Sequence, residues 1–163
     1  MSKTSHASKA EDRPIHRAAA PEYRWQGVDL LPYKEDDRAL FQSITRQVLF
    51  SDPELQGELR YFEMAPGGFS TLERHEHMHA VMIFRGRGHC LVGREVRPVA
   101  FQDLVMVPPW TWHQFRATLN EPFGFLCMVN AIRDKPQLPT SQDLTELQTD
   151  PAVAAFLRGR PSV

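Results

Sequence analysis

The sequence has only two cysteines, Cys90 and Cys127, and they are not spaced as a Cys-x-x-Cys pair. This argues against a disulfide framework, and a reducing cytoplasm is the expected compartment. Long hydrophobic runs are also missing, since the apolar run at 123–129 is far too short to cross a bilayer. Residues 1–20 contain no apolar segment of the kind found in secretory signals. We therefore predict a cytoplasmic protein with no membrane partner.

An excess of charge of one sign is absent as well. The 19 Lys and Arg residues are balanced by 20 Asp and Glu residues, which gives a formal net charge of −1. This balance argues against a nucleic acid or an anionic membrane surface as the main partner. The chain has 163 residues, 42% of them hydrophobic, which is enough for one domain with a substantial core.

Composition divides the chain into three regions. Residues 1–23 are rich in Ser, Ala, Lys and Pro and show no packing period, which predicts a flexible tail. Residues 24–135 are predicted to form a β-barrel with additional N-terminal strands. Residues 136–163 form a C-terminal extension, in which Asp150 and Pro151 are typical of the start of a short helix.

The central region consists of short apolar segments separated by turn residues such as Pro66-Gly67-Gly68. Many short strands without intervening amphipathic helices are typical of a sandwich or small barrel, so we predict an all-β fold. The predicted strands are 44–50, 57–65, 69–76, 79–85, 88–93, 96–99, 103–107, 112–118 and 122–130.

One segment places a carboxylate and three imidazoles at alternate positions: Glu73, His75, His77 and His79. In a regular strand, alternate side chains point to one face. An apolar interior would not hold four such groups unless something satisfied them, and a divalent metal ion does so. The alternative is an exposed polar strand with solvated histidines, and these residues alone do not decide between the two.

The surrounding spacing reads Gly67-x5-Glu73-x-His75-x3-His79-x6-Gly86, followed by Pro108-x4-His113. It resembles the motifs of the cupin family, whose first motif is Gly-x5-His-x-His-x3/4-Glu-x6-Gly. The resemblance covers about residues 57–130. It implies a double-stranded β-helix, or jelly-roll barrel, with a metal ion inside, to which the sequence adds a short C-terminal helix.

The resemblance also implies a ligand set for one divalent ion per chain (Fe, Mn, Ni or Zn): Glu73, His75, His79 and His113. The sequence departs from the family pattern, because Glu73 stands where the family has its first His and His79 stands where it has Glu. The family spacing skips His77, which we place beside the ligands or at the barrel mouth. The alternatives are that His77 binds the metal itself, or that the barrel is metal-free, as in many cupins.

Seven residues are predicted to line the pocket or its rim: Val81, Ile83, Phe115, Phe125, Cys127, Trp110 and Trp112. Strand alternation places the first two on the side of His79, and Phe115 on the side of His113. The run ending at Val129 resembles the final strand of small cupins, with Cys127 facing inward. The two tryptophans precede His113 and would either grip an apolar substrate or seal the barrel end.

These residues favour a metal-dependent enzyme that chelates a small organic anion. Because the predicted pocket is apolar, we expect an oxygenase-type reaction, possible with a redox metal. The alternatives are a non-redox isomerase, decarboxylase or lyase, and a non-catalytic barrel that binds a small molecule or metal. Single-domain cupins are often homodimers, and Met82 and Phe84 on the outer face would either form that contact or pack beneath residues 25–50.

Overall fold

The computed structural model of the protein describes residues 14–34, 41–52 and 54–159. The strands are β1 (Ala19–Ala20), β2 (Arg24–Trp25), β3 (Leu31–Pro32), β4 (Gln42–Asp52), β5 (Gly57–Phe69), β6 (His79–Arg85), β7 (Arg87–Val92), β8 (Glu95–Ala100), β9 (Leu104–Val107), β10 (His113–Ala117) and β11 (Phe123–Asn130), and the helices are α1 (Ser141–Leu147) and α2 (Pro151–Leu157). Residues 1–13 of the predicted tail lie outside the described residues, and its remainder contains β1. No helix in the described ranges is long and apolar enough to cross a membrane.

Strands β3 to β11 form one curled antiparallel sheet in the order β8-β7-β10-β5-β11-β6-β9, with β4 paired to β5 and β3 to β4, and β1 and β2 form a separate pair. In this register Phe125 lies opposite Phe62 on one side and Ile83 on the other. Strands distant in the sequence thereby share one inner face. The predicted all-β jelly-roll fold is confirmed.

Aromatic side chains fill the inner face of this sheet. The ring of Phe125 lies 5.4 Å from that of Phe62 and 4.7 Å from that of Phe115, measured between centroids. Burying such rings supplies most of the driving force for folding, because each removes a large apolar area from water. Val81 and Ile83, which we predicted to line the pocket, are fully buried in this core.

The segment before the histidines departs from the prediction. Strand β5 continues through Gly67, whose φ of +76° is accessible to glycine, and ends at Phe69. The predicted strand 69–76 is not continuous, because within it only isolated bridges form, one of them between Glu73 and His113. The chain also bends at positions 76 and 77, so regular strand alternation does not reach His79.

The C-terminal extension holds two helices, where we predicted one. Helix α2 begins after Asp150, whose side chain accepts hydrogen bonds from the backbone as the predicted cap does. Helix α1, which we did not predict, begins at a capping box formed by Thr140 and Asp143. Leu147 of α1 and Phe156 of α2 are buried in a second apolar cluster on the sheet exterior.

The N-terminal strands cover part of the outer face. Phe84 packs against Tyr23, Trp25 and Tyr61, with ring centroids 6.0 to 6.4 Å apart. Of the two predicted contact residues, Phe84 therefore lies beneath the N-terminal segment. Met82 is 41% exposed and is free to contact another chain.

Candidate metal centre

Three of the predicted ligands converge at one point of the structure. His79 begins β6 and His113 begins β10, whereas His75 lies in the irregular segment before β6. One ring nitrogen of each lies within 4.8 Å of the others. His75 and His113 are buried, and His79 is half-buried. The sheet therefore brings two elements, separated by more than 30 positions in the sequence, to a single polar site.

The Nδ1 atom of each imidazole is engaged by a neighbouring group. His75 Nδ1 lies 2.6 Å from the carbonyl oxygen of His77, and His113 Nδ1 lies 3.0 Å from that of Thr111. Since a carbonyl only accepts, both Nδ1 atoms donate, which leaves a lone pair on each Nε2. His79 Nδ1 lies 3.2 Å from Cys127 Sγ. Metal-binding histidines are oriented in this way.

Two of the Nε2 atoms, those of His75 and His79, are buried and have no hydrogen-bond partner among the described residues. A buried polar atom without a partner is costly, so something outside the protein chain is expected to satisfy these two. Imidazole nitrogen is a ligand for Fe, Mn, Ni and Zn. The geometry of this site therefore fits a divalent metal ion.

The protonation state of the site also suits a metal. Burial, together with the neighbouring imidazoles, lowers the pKa of His75 to about 4. Burial likewise lowers the pKa of His79 and of His113. All three rings are therefore neutral at pH 7, which is the form that binds a metal.

Glu73, the fourth predicted ligand, lies beside the imidazoles but outside the converging group. Its backbone N–H donates to His113 and its carbonyl accepts from His113, at 3.2 and 3.0 Å. The side chain is buried, and its carboxylate accepts a hydrogen bond from Lys34 Nζ. Because Lys34 binds this carboxylate, it competes with a metal ion for Glu73.

His77 supports His75 from one side. The two rings stack with 3.7 Å between centroids and 5° between planes. His77 Nδ1 donates to Asp134 at 2.6 Å, and Asp134 also accepts from the backbone N–H groups of Glu76 and His77. His75, His77 and Asp134 also bring ligand atoms within 4.8 Å of one another, so these contacts leave His77 open as a ligand too.

A cavity opens next to His79 and His113. Of the predicted pocket residues, Phe115, Phe125 and Cys127 line it. The other lining residues were not predicted: Tyr33, Lys34, Arg46, Arg60, Phe62 and Ser70. Because three of them are cationic, the cavity combines apolar with positively charged lining, which suits an anionic ligand.

The two tryptophans lie away from this cavity. Trp110 is 47% exposed, and it is its backbone N–H that reaches the site, donating to the carbonyl of His75 at 2.7 Å. Trp112 packs against the second apolar cluster, which contains the helical residues Leu147 and Phe156. The guanidinium of Arg74 lies 4.4 Å from the Trp112 ring centroid. Since His113 points inward, the adjacent Trp112 faces the opposite side of the strand.

Sequence analysis missed Arg46 and Arg60, although a signal was present. Arg60 precedes the inward-facing residue Phe62 by two positions, and Arg46 follows the buried Ile44 by two. Charged residues at inward-facing strand positions indicate a functional site. Asp134 follows β11 in a loop, where periodicity gives no signal.

The sequence and the fold are similar to those of known proteins. A family model for the cupin domain matches residues 60–129. A curated protein of Rhodospirillum rubrum, 1-methylthio-D-xylulose 5-phosphate methylsulfurylase, is 64% identical over 149 residues, which cover 91% of this chain and 95% of that protein.

Two crystal structures share the fold. A cupin-2 domain protein of Rhodospirillum rubrum is 62% identical and aligns over 92% of this chain and 100% of that chain, with a TM-score of 0.82. A cupin 2 conserved barrel domain protein of Rhodopseudomonas palustris is 57% identical, over 86% and 97% of the two chains, with a TM-score of 0.82. The chain described here belongs to the cupin superfamily.

Proposed function

We propose that this chain is a metal-dependent enzyme that removes the methylthio group from a methylthio-substituted ketose phosphate. The observation that carries the proposal is the set of three neutral imidazoles, two of them with buried and unpartnered Nε2 atoms, beside a cavity that contains a thiol and cations. The name of the 64% identical Rhodospirillum rubrum protein supports the substrate and the reaction.

In this proposal His75, His79 and His113 would hold one divalent ion, with Glu73 as the fourth ligand once it leaves Lys34. The bound ion would supply Lewis-acid chemistry, polarising a ketone and favouring loss of a group from the adjacent carbon. Elemental analysis of the purified protein would identify the native metal among Fe, Mn, Ni and Zn.

Cys127 is the group of this chain best placed to receive the methylthio group. Its thiol is buried, lines the cavity and lies 3.2 Å from His79 Nδ1. Attack by its thiolate on the methylthio sulfur forms an S–S bond and breaks the C–S bond, whose electron pair stays on the sugar as an enolate that then takes up a proton from solvent. A second thiol would attack the methylthio sulfur of the resulting mixed disulfide. This releases the Cys127 thiolate and carries the methylthio group away as a new mixed disulfide.

The oxygenase reaction remains the second candidate. The expected apolar pocket favours it, and Phe115 and Phe125 do line the cavity. Three cations line the same cavity and reduce the support for that argument. A redox-active metal in the purified protein would restore it.

The test is to incubate metal-loaded protein with 1-methylthioxylulose 5-phosphate and a thiol reductant, following the S-methyl signal by NMR and dissolved oxygen by electrode. We expect loss of the S-methyl group from the sugar without oxygen uptake. His113→Ala and Cys127→Ser should abolish the reaction, while Cys90→Ser, at the other buried free thiol, should retain it. Oxygen uptake that depends on substrate would favour the oxygenase instead.

We further propose that the protein is a cytoplasmic homodimer. Exposed apolar residues lie together on β6, β9 and β11, namely Met82, Leu104, Met106 and Met128. A patch of this kind is typical of an interface between subunits. Light scattering should give twice the chain mass, and Met106→Glu with Met128→Glu should give the monomer.

A further inference from the structure

We propose that Arg46 and Arg60 form the binding site for a phosphate group of the substrate, on the cavity wall next to Cys127. This inference deepens the proposed function and rests on it, because it concerns the substrate of the same cavity. Both arginines line that cavity. Arg60 Nη2 lies 3.9 Å from Cys127 Sγ, so an anion at Arg60 would lie next to the reacting thiol.

The sheet register places the two arginines on neighbouring strands. Arg46 on β4 pairs with Phe62 on β5, and Arg60 on β5 pairs with Val48 on β4. The two arginines are therefore diagonal neighbours, a relationship that corresponds to about 7 to 8 Å in an antiparallel sheet. A tetrahedral anion between them can accept hydrogen bonds from both.

Both arginines are incompletely satisfied by the protein. The Nε atoms of Arg46 and Arg60 are buried and have no hydrogen-bond partner among the described residues. The side chain of Arg60 is only 9% exposed, so water cannot freely replace a missing partner. A buried guanidinium nitrogen without a hydrogen bond, on a side chain that lines a cavity, indicates that a ligand supplies an acceptor.

The charge balance favours a dianion. Glu58 Oε1 lies 3.5 Å from Arg60 Nε and 3.3 Å from Arg133 Nη2, so one carboxylate serves two guanidinium groups. Arg46 has no ion pair within the part of the chain that the structure describes. The three arginines, Arg46, Arg60 and Arg133, therefore exceed the one carboxylate of Glu58 by two positive charges. A phosphate monoester dianion neutralises this excess, and a carboxylate does not. Lys34 pairs with Glu73 in the structure, and it would add a further positive charge once Glu73 bound the metal.

Guanidinium groups suit this role, because their planar fork donates two parallel hydrogen bonds to phosphate oxygens. The imidazoles and the arginines lie on the same cavity, with Cys127 touching both His79 and Arg60. A small substrate would thus place its oxygen donors at the imidazole end of the cavity and its phosphate at the arginine end. Phosphate binding would fix which carbon faces the thiol.

The experiment measures binding of inorganic phosphate to metal-loaded protein by titration calorimetry, after metal content has been matched across the variants. We expect Arg46→Met and Arg60→Met each to weaken phosphate binding by about tenfold or more, as loss of a charge-assisted hydrogen bond does. Arg97→Met serves as the matched control, because Arg97 is exposed and pairs with Glu95, and it should bind phosphate like the original protein. Circular dichroism identifies any variant that fails to fold. If Arg60→Met does not fold, Arg46→Met still tests the site, because Arg46 is partly exposed and its replacement should be tolerated.

Equal phosphate affinity in all variants, or no saturable binding to the original protein, would overturn the inference. Kinetics with the methylthio ketose phosphate separate it from the proposed function. Turnover with an unchanged KM in both arginine variants would overturn the phosphate site and leave the enzyme function standing. Arginine-dependent phosphate binding without turnover would support the site and refute the reaction.

Discussion

The imidazole of His77 lies flat on that of His75, and the carbonyl of His77 accepts the Nδ1 hydrogen of the same ring. His77 thus fixes the ring of His75 from the side and from its backbone. The carbonyl survives replacement of the side chain, whereas the stacking and the hydrogen bond to Asp134 do not.

We expect His77→Ala to weaken metal binding by about 10- to 100-fold at most, as loss of a group that orients a ligand does. Glu73→Gln should be more damaging, because it removes an anionic oxygen donor and raises the charge of the complex by one. Calorimetric titration of both variants with the same metal decides the order. If His77→Ala loses the metal and Glu73→Gln is nearly silent, then His77 is the ligand.

Loss of a ligand should not unfold the protein. We expect His75→Ala and His113→Ala each to abolish metal binding and to retain the circular dichroism spectrum of the sheet. The reason is that the apolar core around Phe62 and Phe125 holds the fold, unlike a zinc finger, which depends on its ion. Elemental analysis measures the bound metal, and global unfolding of both variants would show that the metal is structural.

Removal of Lys34 should strengthen metal binding. Its ammonium group pairs with Glu73 and adds a positive charge beside the site. In Lys34→Met the carboxylate is free to bind the ion, and we expect a lower Kd for the metal in calorimetry. The matched control is Lys135→Met. A weaker metal affinity in Lys34→Met than in this control would argue that Lys34 positions Glu73 for the ion.

The second apolar cluster, which holds α1 and α2 against the sheet, should contribute strongly to the free energy of unfolding. Phe156 is fully buried, and its replacement by Ala leaves a cavity, so Phe156→Ala should lower the free energy of unfolding by about 3 to 5 kcal/mol. Ile132 is 94% exposed, and Ile132→Ala should change it by about 0.5 kcal/mol at most. Urea denaturation measures both. Similar values for the two variants would show that α2 adds little to the fold.

Local sequence signals identified most of the fold. Alternating apolar residues and turn-forming glycines predicted every strand from β4 to β11, because these patterns act between neighbouring residues. The cap at Asp150 predicted α2 for the same reason. The capping box at Thr140 and Asp143 was equally local, and sequence analysis missed it. The segment 69–76 was misjudged, because its strand pattern is overridden by bends and isolated bridges.

Residue types and their spacing were enough to indicate which side chains could bind a metal and to relate the chain to cupins. The tertiary structure alone showed that His75, His79 and His113 converge, that Glu73 pairs with Lys34, and that Trp110 and Trp112 lie elsewhere. It also brought Arg46 and Arg60 to the cavity wall. Spacing along the chain reports which face of a strand a residue occupies. The register between distant strands decides which faces meet, because it depends on packing of the whole core.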